Sequence, residues 1–146
     1  MQGIGRQTDY ASRILLHLAC LGENAQVQVK EIAAERLLPP AYVRRIVARL
    51  ARAGLLSTSR GAGGGVRLAR PASEISMLDV VRVFEGGIVL NRCVDDPQTC
   101  PLTEDCPVHR SWTSATRQAE SYLDAVRFDR LAAQAKTPAL NIVGGK

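Results

Sequence analysis

The sequence predicts a mainly α-helical fold with one small β-hairpin, followed by a long helix near the end of the chain. Three observations support this class. Apolar residues recur at helical spacing before residue 86, a glycine run separates two short strand-like segments, and a second helical pattern follows a cysteine-rich loop. With 146 residues, of which 46% are hydrophobic, the chain suits one folded domain with an appended helix.

Two helices are predicted first. Thr8 or Asp9 is placed to cap the first helix, and Gly22 is placed to end it. Its inward face is expected to contain Tyr10, Ile14, Leu18 and Leu21. The second helix, over residues 29–37, is expected to bury Ile32, Ala33 and Leu37.

A third helix is predicted after the Pro39-Pro40 break, with Pro40 in its first turn and Gly54 at its end. Its buried stripe is expected to be Val43, Ile46, Val47 and Leu50, while Arg45, Arg49 and Arg52 recur on another face. Two short helices, a turn and a basic third helix predict a helix-turn-helix in which the third helix reads DNA.

The positive charge is concentrated in the same region. Residues 1–85 carry 12 Lys and Arg against 7 Asp and Glu, whereas residues 86–146 carry 7 of each. From residue 36 to residue 73 there are arginines and no acid, although a solvated helix face would usually intersperse glutamates. Arginine favours bidentate recognition of phosphates and guanine edges, so we expect double-stranded DNA as a partner. The candidate DNA-contacting residues are Tyr42, Arg44, Arg45, Arg49, Arg52, Arg60, Gly63, Gly64 and Arg67.

A hairpin wing is predicted from strands over residues 55–59 and 66–68 and the glycine-rich turn 61–65 between them. No Lys-Ser/Thr pair and no helix follow the glycines directly, which disfavours a nucleotide-binding P-loop. Arg60 at the wing's edge is suited to a minor groove. Ser76 and Asp79 then resemble a capping box for a fourth helix that ends at Gly86. Its core side is expected to contain Met77, Val81 and Phe84.

Residues 87–108 form a polar loop with three cysteines, Cys93, Cys100 and Cys106, and His109 follows three residues after the last. Such a loop has no packing reason to hold thiols, and three thiols do not form a closed set of disulfides. A soft metal centre explains them. Zinc bound by three cysteines and a histidine is the alternative, but gaps of six and five residues suit a wider cluster better than one ion.

Other functional classes are disfavoured. Two histidines, no nucleophile elbow and no cofactor fingerprint argue against an enzyme. No N-terminal targeting pattern and no long apolar run are present, so no membrane association is expected. Together with free thiols, this predicts a reducing cytoplasm. Cys20 lies among apolar residues of the first helix and is expected in the core.

Residues 109–135 are predicted to form a dimerisation helix, and the tail 136–146 has no usable pattern. A narrow heptad seam consists of Trp112, Ala115, Ala119, Tyr122 and Val126. This helix has few other large apolar positions, so pairing with a second copy is its expected use. Packing back onto its own domain is the alternative.

In order and spacing, these features resemble the Rrf-two family of bacterial winged-helix regulators over residues 6–135. The resemblance is carried by Thr8-Asp9-Tyr10-Ala11, Tyr42-Val43, Ala53-Gly54-Leu55, the segment 60–65 and the three-cysteine loop. It implies a homodimeric transcription regulator in which the three cysteines of each subunit bind an iron–sulfur cluster.

The fourth cluster ligand differs between family branches, and this chain offers both candidates. His109 matches the cluster-assembly branch, and Asp9 matches the nitric-oxide-sensitive branch, in which an N-terminal aspartate reaches the partner subunit's cluster. The first cysteine gap is six residues rather than five, so the cluster is left open between 2Fe–2S and 4Fe–4S. Arg44 and Arg45 stand where the cluster-assembly branch has Glu-Gln, so its operator sequence does not transfer.

Overall fold

The computed structural model describes residues 3–135. Its α-helices, in chain order, are α1 (Arg6–Leu21), α2 (Val29–Glu35), α3 (Pro40–Arg52), α4 (Met77–Glu85), α5 (Arg92–Asp95), α6 (Pro107–Ala125) and α7 (Phe128–Gln134). The strands are β1 (Leu56–Ser59) and β2 (Gly65–Leu68), and short 3-10 turns lie at Ala72–Glu74, Pro97–Thr99 and Thr103–Asp105. We call α3 the reading helix, residues 56–68 the wing, residues 3–85 with α1–α4 and the wing the head, and residues 86–106 the connector.

The first half of the chain is a winged helix-turn-helix, as predicted. β1 and β2 pair antiparallel, with Leu56 opposite Leu68 and Ser59 opposite Gly65. Val27, just before α2, forms an antiparallel β-bridge with Val66 of β2. Its N–H donates to Val66 O at 2.9 Å, and its C=O accepts from Val66 N–H at 2.8 Å. The helix-turn-helix and the wing are therefore joined by backbone hydrogen bonds.

One hydrophobic core unites these elements. α1 contributes Ile14, Leu15 and Leu18, each with no exposed surface. The reading helix contributes the predicted stripe of Val43, Ile46, Val47 and Leu50, and its first turn carries Pro40 as expected. Burial of this stripe leaves Arg44, Arg45 and Arg52 on the exposed side of α3.

The predicted single helix over residues 109–135 is wrong, because the chain forms two helices. α6 ends at Ala125, and Val126 has a β-type conformation with φ −83° and ψ 98°. The Val126 carbonyl accepts a hydrogen bond from Met77 N–H at 2.9 Å, and Phe128 N–H donates to Ile75 O at 3.0 Å. Phe128 is 1% exposed in the core. Residues 128–134 therefore pack onto the chain's own head, and Val126 is not part of a helical seam.

Several local expectations are corrected. α1 begins at Arg6 with Gly5 as its N-cap residue, so neither Thr8 nor Asp9 caps it. α2 ends at Glu35, and Leu37 is 75% exposed with a φ of 53°, while Leu38 takes the buried position.

The capping box of α4 is confirmed. Ser76 Oγ accepts from Asp79 N–H at 3.1 Å, and Asp79 Oδ2 accepts from Ser76 N–H at 2.9 Å. Of the residues expected on its core side, Val81 is buried, while Met77 and Phe84 are partly buried against the core. The fully or nearly buried positions also include Leu78 and Val80. The predicted tail, residues 136–146, lies outside the described residues.

Within residues 3–135, none of the helices combines the length and apolar character that a bilayer crossing requires.

Candidate nucleic-acid interface and thiol-rich connector

The outward side of the reading helix presents an aromatic ring and cations. Tyr42 is 43% exposed, and the guanidinium of Arg45 lies 5.7 Å from the centre of its ring. Arg44 and Arg52 are also exposed, and no acidic side chain stands in the first turn of the helix. This surface keeps its positive charge and suits contacts to phosphates and guanine edges in a major groove.

Arg49 is placed differently from the other arginines of α3. Its guanidinium donates to Val83 O at 2.6 Å and to Gln7 Oε1 at 3.0 Å. It also lies 4.5 Å from the centre of the Phe84 ring. These contacts tie the reading helix to α1 and α4, so Arg49 acts inside the head, although sequence spacing grouped it with the candidate DNA contacts.

The wing exposes Arg60 at its turn and Arg67 on β2. No heavy atom lies within 4 Å of where a Cβ would stand on Gly63, so a ligand can approach its backbone closely from that side. Gly64 differs, because a Cβ there would overlap Ser59 O and lie 2.8 Å from Arg60 O. Gly64 is thus required for closing the wing's own turn, a role that the sequence pattern did not separate from DNA contact.

The start of α1 is held by a carboxylate from α4. Glu85 Oε1 accepts from Gly5 N–H at 2.9 Å and from the buried Thr8 hydroxyl. The Thr8 hydrogen bond, followed by the Gly5 N–H, lowers the pKa of Glu85 below its usual value. Asp9, one residue on, pairs instead with Arg13 at 2.8 Å, and both side chains are half exposed.

The three connector cysteines are unpaired and partly exposed. Cys93 lies on α5, Cys100 follows the turn Pro97–Thr99, and Cys106 is the N-cap residue of α6. The Sγ of Cys106 accepts the His109 N–H at 3.4 Å. Within residues 3–135, however, no three His, Cys, Asp or Glu side chains gather closely enough to hold a metal ion. A single chain therefore does not assemble the predicted ligands Cys93, Cys100, Cys106, Asp9 and His109 into one site.

His109 has an unused ring nitrogen. Its Nε2 lies 3.4 Å from Thr113 Oγ1, and its Nδ1 is buried without a hydrogen-bond partner among the described residues. A buried unpartnered imidazole nitrogen is unfavourable unless a ligand or a proton acceptor reaches it. Of the expected ligands, His109 thus has a free donor atom, whereas Asp9 already has an ion-pair partner.

α6 buries little of its surface in a single chain. Thr116 is its one buried residue, and Trp112 and Tyr122 are 38% and 70% exposed. Ala115 and Ala119, from the predicted seam, are partly exposed. A cavity of about 520 Å³ lies beside the helix, lined by residues from the N-terminal segment, α1, α4 and Leu123.

Sequence reasoning missed several residues that shape this surface. Gln26 and Gln28 hydrogen-bond the wing, Tyr10 contacts the reading helix, and Glu85 holds the start of α1. The two residues of each contact are 32 to 80 positions apart in the sequence, so no local spacing could have indicated these contacts.

Comparisons with known proteins agree with this architecture. The model of the Rrf2 family (the Rrf-two family above), described as iron-dependent transcriptional regulator, matches residues 4–134. Protein aau3 of Rhizobium meliloti (strain 1021) is 36% identical over 127 residues, which are 86% of this chain and 82% of that protein. The HTH-type transcriptional regulator NsrR of Geobacillus kaustophilus (strain HTA426) is 34% identical over 119 residues, 81% of each chain.

A solved structure extends the agreement to three dimensions. CymR, the global cysteine regulator of B. subtilis, superposes with a TM-score of 0.78 at 27% identity, covering 93% of this chain and 100% of that chain. Family and relatives are transcriptional regulators and not enzymes, which confirms the expectation that this chain is not an enzyme. The chain belongs to the Rrf2 family of winged helix-turn-helix transcriptional regulators.

Proposed function

We propose that the chain is a homodimeric, sequence-specific DNA-binding transcription regulator whose DNA affinity is controlled by an iron–sulfur cluster, 2Fe–2S or 4Fe–4S. One observation carries the proposal. Three unpaired, partly exposed thiols lie on the single connector that joins the DNA-reading head to α6. Free thiols on such a surface also support a reducing cytoplasm as the protein's compartment.

The donor set fits the cofactor by its chemistry, because thiolates are the protein ligands of iron–sulfur clusters. Cys93, Cys100 and Cys106 would hold the cluster. His109, with its unpartnered Nδ1, and Asp9 of the partner subunit are the two candidates for a fourth ligand. The bound cluster would supply a centre sensitive to redox state, nitric oxide or iron supply.

The chain offers a route from the connector to the reading helices. The C-terminal end of α6 is anchored to the head by Met77 N–H to Val126 O at 2.9 Å and Ser76 Oγ to Asp124 Oδ1 at 3.3 Å. Its N-terminal end begins at Cys106 and depends on the connector. A rearranged connector would therefore tilt α6 about its anchored end. In a dimer paired through α6, that tilt would change the spacing of the two reading helices, which half-site recognition restricts strictly.

The DNA contacts follow from exposure and charge. The reading helix would enter the major groove with Tyr42, Arg44, Arg45 and Arg52, and the wing would bring Arg60 to the adjacent minor groove while Gly63 and Arg67 approach the backbone. With about 6–10 phosphate contacts per dimer, affinity is expected to fall by about 10³–10⁵ between about 50 and 200 mM salt. A flat salt response would remove the DNA-binding proposal.

Purified anaerobically from iron-replete cells, the protein is expected to be coloured and to contain iron and acid-labile sulfide. Cys100→Ser should remove both, whereas Cys20→Ser, on α1, is the matched control and should retain them. His109→Ala and Asp9→Ala, examined by the same spectroscopy, distinguish the two fourth ligands. Colourless, iron-free wild-type protein from that preparation would overturn the cluster.

A second candidate is a regulator of the same fold that is stabilised by zinc or works without a metal. Two observations favour the metal-free form: within residues 3–135 no three ligands gather, and a structural neighbour is described as a cysteine regulator. Stoichiometric zinc without sulfide would identify the zinc form, and DNA binding by metal-free protein that equals the loaded protein would identify the other.

A further inference from the structure

Arg60 is flanked on both sides by hydrogen bonds to one short segment that precedes α2. Before Arg60, Ser59 Oγ accepts from Gln26 Nε2 at 2.6 Å. After it, Gly63 O accepts from the same amide at 3.1 Å, and Gly64 O accepts from Gln28 Nε2 at 2.5 Å. The turn that carries Arg60 is thus held at its two ends by two side-chain amides.

The backbone beneath the turn is fixed by the same segment. Val27, between the two glutamines, exchanges hydrogen bonds with Val66 at 2.9 Å and 2.8 Å. Gly65 has a φ of +152°, and a Cβ there would lie 2.8 Å from Val27 O. A side chain at this position would push the wing away from the segment, so the glycine allows the close approach on which the amide contacts depend.

The segment is also the start of the helix-turn-helix. Gln28 is the N-cap residue of α2, and its N–H donates to Glu31 Oε2 at 2.9 Å. The side chain of Gln28 therefore bonds the wing while its backbone is fixed by α2. Since α2 packs against the reading helix, the wing and the reading helix are linked through these two residues.

We propose that Gln26 and Gln28 are positioning residues that hold Arg60 at a set distance from the reading helix. The two DNA contacts, one in the major groove and one in the minor groove, then act as a single rigid surface. The proposal rests on the DNA binding proposed above. A freely moving wing would lose conformational entropy when it binds DNA. The two amides restrict the wing before DNA is bound, so less entropy is lost on binding.

A double-mutant cycle tests this role. Gln28→Leu keeps the side-chain size and removes the donor, and it is expected to lower affinity for a selected operator by roughly 2- to 10-fold, the usual effect of one hydrogen bond. In an Arg60→Ala background the same change should have almost no further effect, because the positioned residue is gone. In an Arg45→Ala background it should keep its full effect. Equal losses in the wild-type and Arg60→Ala backgrounds, or no loss in the wild type, would overturn the proposal.

A second measurement needs no DNA and separates this proposal from the proposed function. Trypsin cuts after Arg60, and cleavage of a folded protein follows the population of the open loop. Gln26→Leu and Gln28→Leu are expected to speed that cut by roughly 2- to 10-fold. Gln134→Leu, an exposed glutamine of α7, should leave it unchanged. Unchanged cleavage in both wing variants, with thermal melts like the wild type, would overturn the proposal even if DNA binding is strong.

Gln28→Glu is the variant to use if Gln28→Leu fails to fold. It is isosteric and replaces the amide donor with a carboxylate that repels Gly64 O. Its cleavage after Arg60 should exceed that of Gln28→Leu, and a slower cut would contradict the proposed contact.

Discussion

Tyr10 of α1 and Tyr42 of the reading helix form an edge-to-face aromatic pair. The centres of the Tyr10 and Tyr42 rings are 6.1 Å apart, with the ring planes at 90°. The guanidinium of Arg13 lies 5.7 Å from the Tyr10 ring, and that of Arg45 lies 5.7 Å from the Tyr42 ring. Four side chains thus form one row of cation–aromatic and aromatic–aromatic contacts that ends on the DNA-facing side of α3.

Loss of the Tyr10 ring should weaken specific DNA binding. Edge-to-face pairs contribute about 0.5–1.5 kcal/mol beyond area burial, so Tyr10→Leu is expected to lower operator affinity by roughly 2- to 10-fold. Affinity for scrambled DNA should change less, because the row orients Arg45 and leaves the total charge unaltered. Fluorescence anisotropy with both DNAs at one salt concentration measures the two effects.

Tyr10→Phe is the matched control, since it keeps the ring pair and removes the hydroxyl. It should bind both DNAs like the wild type. Parallel losses of Tyr10→Leu on operator and scrambled DNA would show that the row does not orient Arg45.

Arg49 should contribute to stability rather than to DNA contact. Arg49→Ala leaves Val83 O without its charged donor and removes the packing on Phe84, so the free energy of unfolding should fall by about 1.5–3 kcal/mol. Arg52→Ala is the comparison, because Arg52 is exposed and, among residues 3–135, its side chain bonds only Ala48 O of its own helix, at 3.4 Å. Urea unfolding of both variants should show a change for Arg49 alone. If Arg49→Ala is as stable as the wild type and binds DNA more weakly, Arg49 belongs to the DNA contacts.

A structural feature can be predicted from the sequence when the residues that determine it are close together along the chain. The buried stripe of α3 and the capping box of α4 were predictable, because they involve residues three to four positions apart. The bond from Thr8 to Glu85 spans 77 positions, and no local pattern indicates it. The heptad spacing wrongly predicted that the last helix continues through Val126. α6 ends before it, because the backbone groups of Val126 and Phe128 form hydrogen bonds with Met77 and Ile75.

The thiol-rich connector shows the same division. Residue type and spacing were enough to single out Cys93, Cys100 and Cys106 as candidate soft-metal ligands. Whether they converge depends on the path of residues 86–106 and, for Asp9, on a second chain. Neither the path of the connector nor the position of a second chain can be inferred from residue spacing. The spacing therefore identifies the candidate ligands but does not predict that they converge.

The buried His17 predicts a stability that depends on pH. It is 3% exposed, and burial, followed by the charge of Arg36, lowers its pKa below the model-peptide value of 6.5 despite the opposing Glu35 and Glu31. Below that value the unfolded state binds more protons than the folded state. Stability should therefore fall as the pH decreases from about 6.5 toward the folded-state pKa.

Urea unfolding across pH 5 to 8, about the range in which histidines titrate, measures this dependence. His17→Leu should remove most of it, whereas His109→Gln should retain it, and the chain has no other histidine. A pH dependence that is unchanged in His17→Leu would assign the effect to the carboxylates.

Loss of an aromatic ring should weaken dimer association when the ring is on α6 and lower stability when it is on α7. The reason is that the aromatic rings of α6 are exposed, whereas that of α7 is buried in the core. Trp112→Ala and Tyr122→Ala on α6 should raise the dimer dissociation constant by about tenfold or more, as buried aromatic anchors of interfaces do. Phe128→Ala on α7 should instead lower the free energy of unfolding by about 3–5 kcal/mol, because Phe128 is 1% exposed in the core of its own head. Sedimentation equilibrium and urea unfolding at matched protein concentrations separate the two responses. If Trp112→Ala destabilises the monomer and leaves association unchanged, α6 packs on its own domain, and the spacing of the reading helices must be set by another element.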